Sequence, residues 1–279
     1  MKRRSFVKTT IAGATAAIVL PSFACTPGAR KTGLILYTVR NEMDKDAEGT
    51  LDHIAEIGYN WLEAASYADG KFYGTKPADF RRMVENRGME LVSSHNGLDN
   101  DNLDEVVGAA SEAGLKYLVI PSLPHSWINS GDALKKTADF MNMAGDKCRA
   151  NGMKLGFHNH TVEFEPVEGQ VPIDVFIANT DPDLVTFQLD LAWITKSGND
   201  PLTYFERYPG RFELWHVKDL SEEGQDATLG EGTMDFEPIF AAAETAGMKY
   251  FFVEQDHCRT HTPLESIKIS RNYLSENIL

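Results

Sequence analysis

Basic residues are scarce in this chain. Of 279 residues, 27 are Lys or Arg against 41 Asp or Glu, a formal net charge of −14. That balance argues against nucleic acid and against an anionic membrane surface as partners, since both are held through clustered cations. Beyond the first few residues, no cluster of Arg and Lys offers a phosphate site. Cysteine is nearly missing, with only Cys25, Cys148 and Cys258 present. Cys148 lies in a helical pattern and Cys258 just past a strand end. Nothing in the pattern requires them to pair, so both are read as idle thiols. After the N-terminal stretch no apolar run is long enough to span a bilayer. The segment Tyr37-Thr38-Val39-Arg40-Asn41, which follows the first apolar run, lacks the glycines of a phosphate loop. This weakens a dinucleotide-binding reading.

The first residues are read as a processing segment rather than as part of the fold. Lys2-Arg3-Arg4-Ser5-Phe6-Val7-Lys8 is basic, Thr9 to Leu20 is apolar and short, and Ser22-Phe23-Ala24 is a small-x-small cleavage site. Arg3-Arg4-x-Phe6-x-Lys8 resembles the twin-arginine export signal. Cys25 follows Ala24 as at a lipoprotein processing site. A lipid anchor on Cys25 and release into the periplasm both stay open. The expected division is a signal peptide over 1–24, a linker over 25–31 and one domain over 32–279. About 250 residues then remain, the size of a single barrel domain.

One junction recurs five times. A helical pattern ends on a glycine and an apolar β-prone run begins at once, at Gly58, Gly88, Gly114, Gly152 and Gly247. Glycine closes a helix in the left-handed conformation at little steric cost, so the repeat marks a βα unit. Eight strands are expected, over Gly33–Thr38, Asn60–Ala64, Glu90–His95, Tyr117–Pro121, Lys154–His158, Thr186–Asp190, Glu213–Val217 and Tyr250–Glu254. Helical patterns separate them, over Asp46–Ile57, Pro77–Asn86, Asp104–Ala113, Ala133–Ala150, Ile173–Ala178, Pro201–Tyr208 and Phe236–Thr245, with Pro263–Ser275 last. The strands are nearly continuously apolar, as strands covered on both faces are. The expected fold class is therefore α/β, a (β/α)8 TIM barrel.

Four of the runs end on metal-ligand residues: His158-Asn159-His160, Asp190, His216 and Glu254. In such a barrel the C-terminal strand ends meet at one mouth, where chemistry sits. His, Asp, His and Glu would converge there as a mixed nitrogen and oxygen set, which suits one divalent ion: Mn, Zn, Co or Mg. His158 and His160 share one strand face and Asn159 faces away. A lone Asp or Glu after a strand is often only a helix cap. The case for ligation is that these residues occur together.

Several motifs occur in order along the chain: Gly58-Tyr59-x-x-Leu62-Glu63, Ser93-Ser94-His95, Gly156-Phe157-His158-Asn159-His160-x-x-Glu163-Phe164, Leu189-Asp190, His216-Val217-Lys218-Asp219, Gly230-Glu231-Gly232 and Val253-Glu254. With these the chain resembles the xylose isomerase-like TIM-barrel superfamily, often called the sugar phosphate isomerase/epimerase family. The resemblance implies a metal held by Glu, Asp, His and Glu at the ends of strands five to eight. Asp190, His216 and Glu254 match three of those positions. On strand five either His158 replaces the first carboxylate or Glu163 reaches in, and Glu163 is favoured as the ligand. The departure puts the two-glutamate proton shuttle of the epimerases in doubt.

Around that ion the expected catalytic residues are His158, Glu163, Glu254 and Lys218, and the expected substrate-binding residues are Glu63, His95, His160, Trp193 and Glu231. Tyr67 and Trp127 are further aromatic surfaces, and His257 and His261 lie beyond the eighth strand. The expected partner is a small-molecule sugar; a homo-oligomer stays open. Polarising a carbonyl acidifies the neighbouring C–H, and the resulting enediolate leads to isomerisation, epimerisation or loss of a β-substituent. An exported enzyme meets few sugar phosphates, so a non-phosphorylated sugar or keto-sugar is expected, acted on by an isomerase or epimerase. A lyase or hydratase of 3-keto-glycosides is the alternative. A non-catalytic sugar-binding lipoprotein is the reading from another class. A repair nuclease is opposed by the charge.

Overall fold

The computed structural model describes residues 31–279. The expected signal peptide and Cys25 lie outside these residues. The eight barrel strands are β1 (Gly33–Ile35), β2 (Trp61–Ala64), β3 (Glu90–His95), β4 (Tyr117–Ile120), β5 (Lys154–His158), β6 (Val185–Asp190), β7 (Leu214–Val217) and β8 (Tyr250–Val253). Each pairs in parallel with its neighbours in chain order. The ladder closes because β1 pairs with both β2 and β8. The chain is thus the expected (β/α)8 barrel.

The helices are α1 (Arg40–Lys45), α2 (Ala47–Ile57), α3 (Pro77–Glu85), α4 (Leu103–Glu112), α5 (Gly131–Ala150), α6 (Pro172–Asn179), α7 (Leu191–Lys196), α8 (Pro201–Arg207), α9 (Phe236–Ala241), α10 (Ala243–Ala246) and α11 (Pro263–Asn277). All five junction glycines take positive φ, between 70° and 98°, the left-handed geometry the repeat requires. Proline opens α3, α6, α8 and α11, where its missing N–H costs no helical bond. Thr262 and Glu265 add a reciprocal capping box to α11.

Apolar side chains fill two layers. The larger lies between sheet and helices and includes Leu62, Phe157, Phe187, Trp215 and Phe251. The smaller, with Ile35, Val92, Val119, Leu214 and Phe252, fills the barrel interior. Cys148 is buried, Cys258 half-buried, and both are free thiols. No helix among the described residues is long and apolar enough to cross a membrane.

The departures from expectation lie mostly near the mouth. The first strand stops at Ile35 and a 3₁₀ turn takes over at Leu36–Val39. The helix expected over 236–245 is broken at Ala242 into α9 and α10. Two short hairpins, Tyr67–Ala68 with Lys71–Phe72 and Asp219–Leu220 with Asp226–Ala227, follow β2 and β7. Strands of two residues carry too little alternation to be legible in sequence.

Candidate active site

Alternation sends every second side chain into the barrel. Along β7 the inward series is Leu214 and then His216, with Lys218 just beyond. The apolar residues lie low in the barrel, and polar ones gather at the strand ends. There His158, Asp190, His216 and Glu254 meet, one ligand-type atom of each lying within 4.8 Å of all the others. His216 Nδ1 is 2.7 Å from Glu254 Oε2 and 3.9 Å from Asp190 Oδ2. His158 Nε2 is 3.5 Å from Asp190 Oδ2.

Those last two atoms are buried without a hydrogen-bond partner. Lys218 Nζ lies 3.2 Å from Asp190 Oδ2, near enough for an ion pair but not aligned to donate a hydrogen bond. Buried polar atoms are nearly always paired, so two orphans facing each other need a reason. Two imidazoles and two carboxylates converging on one point fit a divalent ion, and the orphaned atoms are the ones it would engage. Asp190 serves two ends at once. Its Oδ1 accepts the Trp193 N–H at 2.8 Å and caps α7, while Oδ2 faces the group. The cap and ligand readings are thus compatible.

Beneath this group lies Glu63, fully buried. It accepts from Ser93 Oγ at 2.6 Å and Gln188 Nε2 at 2.9 Å, and it lies 2.6 Å from His216 Nε2 and 3.2 Å from His95 Nε2. With Nε2 occupied, His216 presents Nδ1 to Asp190 and Glu254. Burial pushes the Glu63 carboxyl up, but His95 and His216 outweigh it and hold the pKa at about 2. Burial works against a charged His216, yet Glu254 and Glu63 raise its pKa to about 10.

Lys218 is buried rather than a surface lysine. Its Nζ is 3.0 Å from Glu254 Oε2 and 2.6 Å from Asp256 Oδ2. Burial opposes its charge, but Asp190, Glu254 and Asp256 together raise its pKa well above the ordinary lysine value. Next to it Asp219 anchors the following loop, its carboxylate accepting the N–H groups of Leu220, Gly230, Gly232 and Met234.

A cavity of about 760 Å³ opens over the group, and His158, Glu254, His95, His160, Trp193 and Asp256 are among its walls. His95, His160 and Trp193 therefore stand at the mouth. Burial, with His158 beside it, lowers the His160 pKa to about 4. Four expected residues stand elsewhere. Glu163 sits in a 3₁₀ turn, Val162–Phe164, which folds its carboxylate back to accept the His160 N–H at 2.7 Å. Strand five therefore brings His158, not Glu163, into the group. Glu63 is too deep to line the cavity and braces His216 instead. Glu231 pairs with His261 at 3.0 Å, in a separate concavity beside Tyr273. Trp127 packs on Phe140, also away from the mouth.

Sequence reasoning passed over Gln188, Asp256 and Tyr37. Gln188 precedes Asp190 by two and Asp256 follows Glu254 by two, so strand alternation was a usable signal for both. Tyr37 sits in the 3₁₀ turn that replaces the end of the first strand, and no periodicity marks it.

The sequence pattern of the xylose isomerase-like TIM barrel family matches residues 51–276. The chain belongs to that family. An inosose dehydratase from Lacticaseibacillus casei is 26% identical over 261 residues, spanning 85% of this chain and 83% of that protein. A solved sugar phosphate isomerase/epimerase from Parabacteroides distasonis is 29% identical with a TM-score of 0.81, over 96% of this chain and 99% of that one. The IOLI protein, solved with a bound zinc atom, shares the fold at a TM-score of 0.67 and 15% identity, over 88% of this chain and 98% of that one.

Proposed function

We propose that this xylose isomerase-like barrel is a metal-dependent sugar isomerase or epimerase, acting through an enediolate on a non-phosphorylated sugar or keto-sugar. The observation that carries the reading is the convergence of His158, Asp190, His216 and Glu254, with His158 Nε2 and Asp190 Oδ2 buried without a hydrogen-bond partner. A divalent ion held by these four supplies the Lewis acidity that makes the C–H beside a carbonyl removable. Two imidazoles in the set favour Zn, Mn or Co over Mg, which prefers oxygen ligands.

The chain's own groups supply the rest. Of the four, His158 and Glu254 also line the cavity, and Glu254 is the carboxylate of that pair. Glu254 takes the proton from the substrate carbon. The Lys218 ammonium does not line the cavity; from behind its wall, 3.0 Å from Glu254 Oε2 and 3.2 Å from Asp190 Oδ2, it holds both carboxylates ionised and in place. His95 and His160 hold hydroxyls at the cavity wall. The mouth cavity is lined by no Arg or Lys, which supports a substrate without a phosphate.

A second reading is a 3-keto-glycoside lyase or hydratase. It is favoured by the two members of the four-residue group that line the cavity, Glu254 and His158, of which only Glu254 is a carboxylate. Glu254 faces His158 where a two-carboxylate shuttle would need a second acid, and one base is enough to remove a proton and let a β-substituent leave. The dehydratase name of the Lacticaseibacillus relative supports the same reading. Both readings are tested by incubating the protein with 3-keto-glucose and its methyl glycoside in deuterated water, with and without Mn²⁺, Zn²⁺ or Co²⁺. Metal-dependent deuterium uptake beside the ketone, with the glycoside intact, supports the isomerase or epimerase. Uptake with release of methanol supports the lyase. No uptake with any ion sinks both and leaves a sugar-binding protein.

Export through the twin-arginine signal, with or without lipid on Cys25, is part of the same proposal. Cell fractionation of the full chain with and without a twin-arginine translocase tests the first. The mass of the mature N-terminal peptide tests the second.

A further inference from the structure

The mouth cavity does not end at the reacting groups. A second concavity of about 360 Å³ abuts it, and the two share Tyr37, Trp193 and Asp256 as walls. The second is completed by Lys196 of α7, by Gln225 and Asp226 from the hairpin after β7, and by His257 and Arg259 from the loop after β8. On the opposite flank Tyr67 Oη on one hairpin donates to Glu105 Oε1 of α4 at 3.0 Å, joining two walls of the mouth cavity. A substrate seated over His158 and Glu254 reaches the second concavity past Trp193 and Tyr37.

That junction is chemically distinctive. Trp193 follows Asp190 on α7, and Lys218 Nζ lies 5.1 Å from its ring centre, so its indole stands directly beside the reacting end. Tyr37 is 39% exposed, one of the few large apolar side chains open to solvent among the described residues. The Arg40 guanidinium holds it in place, 4.2 Å from its ring centre. Aromatic surfaces of this kind give sugar rings an apolar contact that polar walls cannot. The mouth cavity alone is already in the range of roughly 300–1,000 Å³ that encloses drug-sized ligands, more than one sugar ring needs.

We infer that the second concavity is a subsite for a second sugar ring, and that the substrate is a glycoside of at least two rings rather than a free monosaccharide. The reacting keto-sugar sits over the four-residue group, and its neighbour crosses Trp193 and Tyr37 into the space beside Gln225. The inference rests on the enediolate reading of the mouth and adds the substrate class.

The test compares metal-dependent deuterium uptake beside the ketone for 3-keto-glucose and for 3-keto-cellobiose, with the whole protein. The expected kcat/KM favours the two-ring substrate at least tenfold. In Gln225→Trp, which fills the second concavity from an exposed position outside the reacting groups, that ratio falls to about one while uptake into 3-keto-glucose is unchanged. Tyr37→Ala lowers the same ratio severalfold. Equal kcat/KM for the two substrates in the unaltered protein, or a ratio that Gln225→Trp leaves intact, overturns the subsite. Metal-dependent uptake into 3-keto-glucose that persists alongside either result leaves the reading of the mouth standing. No uptake into either sugar overturns both.

Discussion

The barrel buries carboxylates at both ends, Glu213 alone at the base and three together at the mouth, and the two sites are built differently. At the base Glu213, 7% exposed, accepts from Tyr117 Oη at 2.7 Å and Lys154 Nζ at 2.8 Å, and pairs with Lys249 Nζ at 3.0 Å. Both of its oxygens have partners. At the mouth Asp190, Glu254 and Glu63 share His216 and Lys218, and Asp190 Oδ2 and the neighbouring His158 Nε2 have no hydrogen-bond partner. A satisfied buried network rigidifies a fold, whereas an incomplete one is costly unless something completes it. The base thus holds the barrel closed, and the mouth is a place where a ligand belongs.

The contrast breaks first, and most severely, at the mouth. Asp190→Asn keeps an oxygen to cap α7 but removes the charge. His158→Ala removes a ligand outright. Each is expected to weaken ion binding by more than about 100-fold, beyond the 10–100-fold typical of residues that only orient a ligand, and to abolish turnover. Metal analysis after dialysis checks this. Glu163→Gln, in contrast, leaves the ion bound, and its loss in that variant would restore Glu163 as the strand-five ligand.

Glu63→Gln comes next. It keeps the shape but weakens the grip on His216 Nε2, so affinity for Co²⁺ is expected to fall about 10–100-fold, with an altered visible spectrum of the Co²⁺-loaded protein. An unchanged spectrum and affinity would make Glu63 simple filling.

Effects at the base fall on stability alone. Glu213→Gln weakens a half-dry network and is expected to cost about 2–3 kcal/mol, with ion affinity within twofold of the parent, read by urea unfolding and calorimetric titration. Burial pushes the Glu213 carboxyl up, but Lys154, Tyr117 and Lys249 together hold it below the ordinary 4.5. A depressed carboxyl stabilises the fold above the unfolded pKa, and that contribution is lost as pH falls through the folded one. The stability of Glu213→Gln should therefore fall less steeply below about pH 4.5 than that of the parent. Parallel acid limbs would deny Glu213 that role.

Legibility in the sequence divides along similar lines. The base and walls of the barrel were readable because they repeat. Five helix-ending glycines and apolar runs of strand length marked every unit, and the strands lie within three residues of their expected ends. At the mouth Asp190, His216 and Glu254 were readable because each closes such a run. The strand-five ligand was not, because His158 and Glu163 both belong to the family-like segment and a three-residue turn decides between them. Glu63 was expected at the substrate, but its depth was not legible; the β2–β3 register shifts at Leu62/Glu63, which no local pattern encodes. Glu231 failed for the opposite reason. Its loop is folded by Asp219 from outside the segment, and Glu231 faces away.

Asp190 holds the first turn of α7 with one oxygen and keeps the other free to take up the proposed ion, so the indole three residues on would be tied to the site's occupancy. The chain has four tryptophans, and Trp61, Trp127 and Trp215 do not line the mouth cavity. Intrinsic fluorescence should then report the site through Trp193, and through Trp215 next to His216, quenched by a paramagnetic ion and restored by chelation. Loading and unloading of the protein would be followed in real time without label, substrate or turnover.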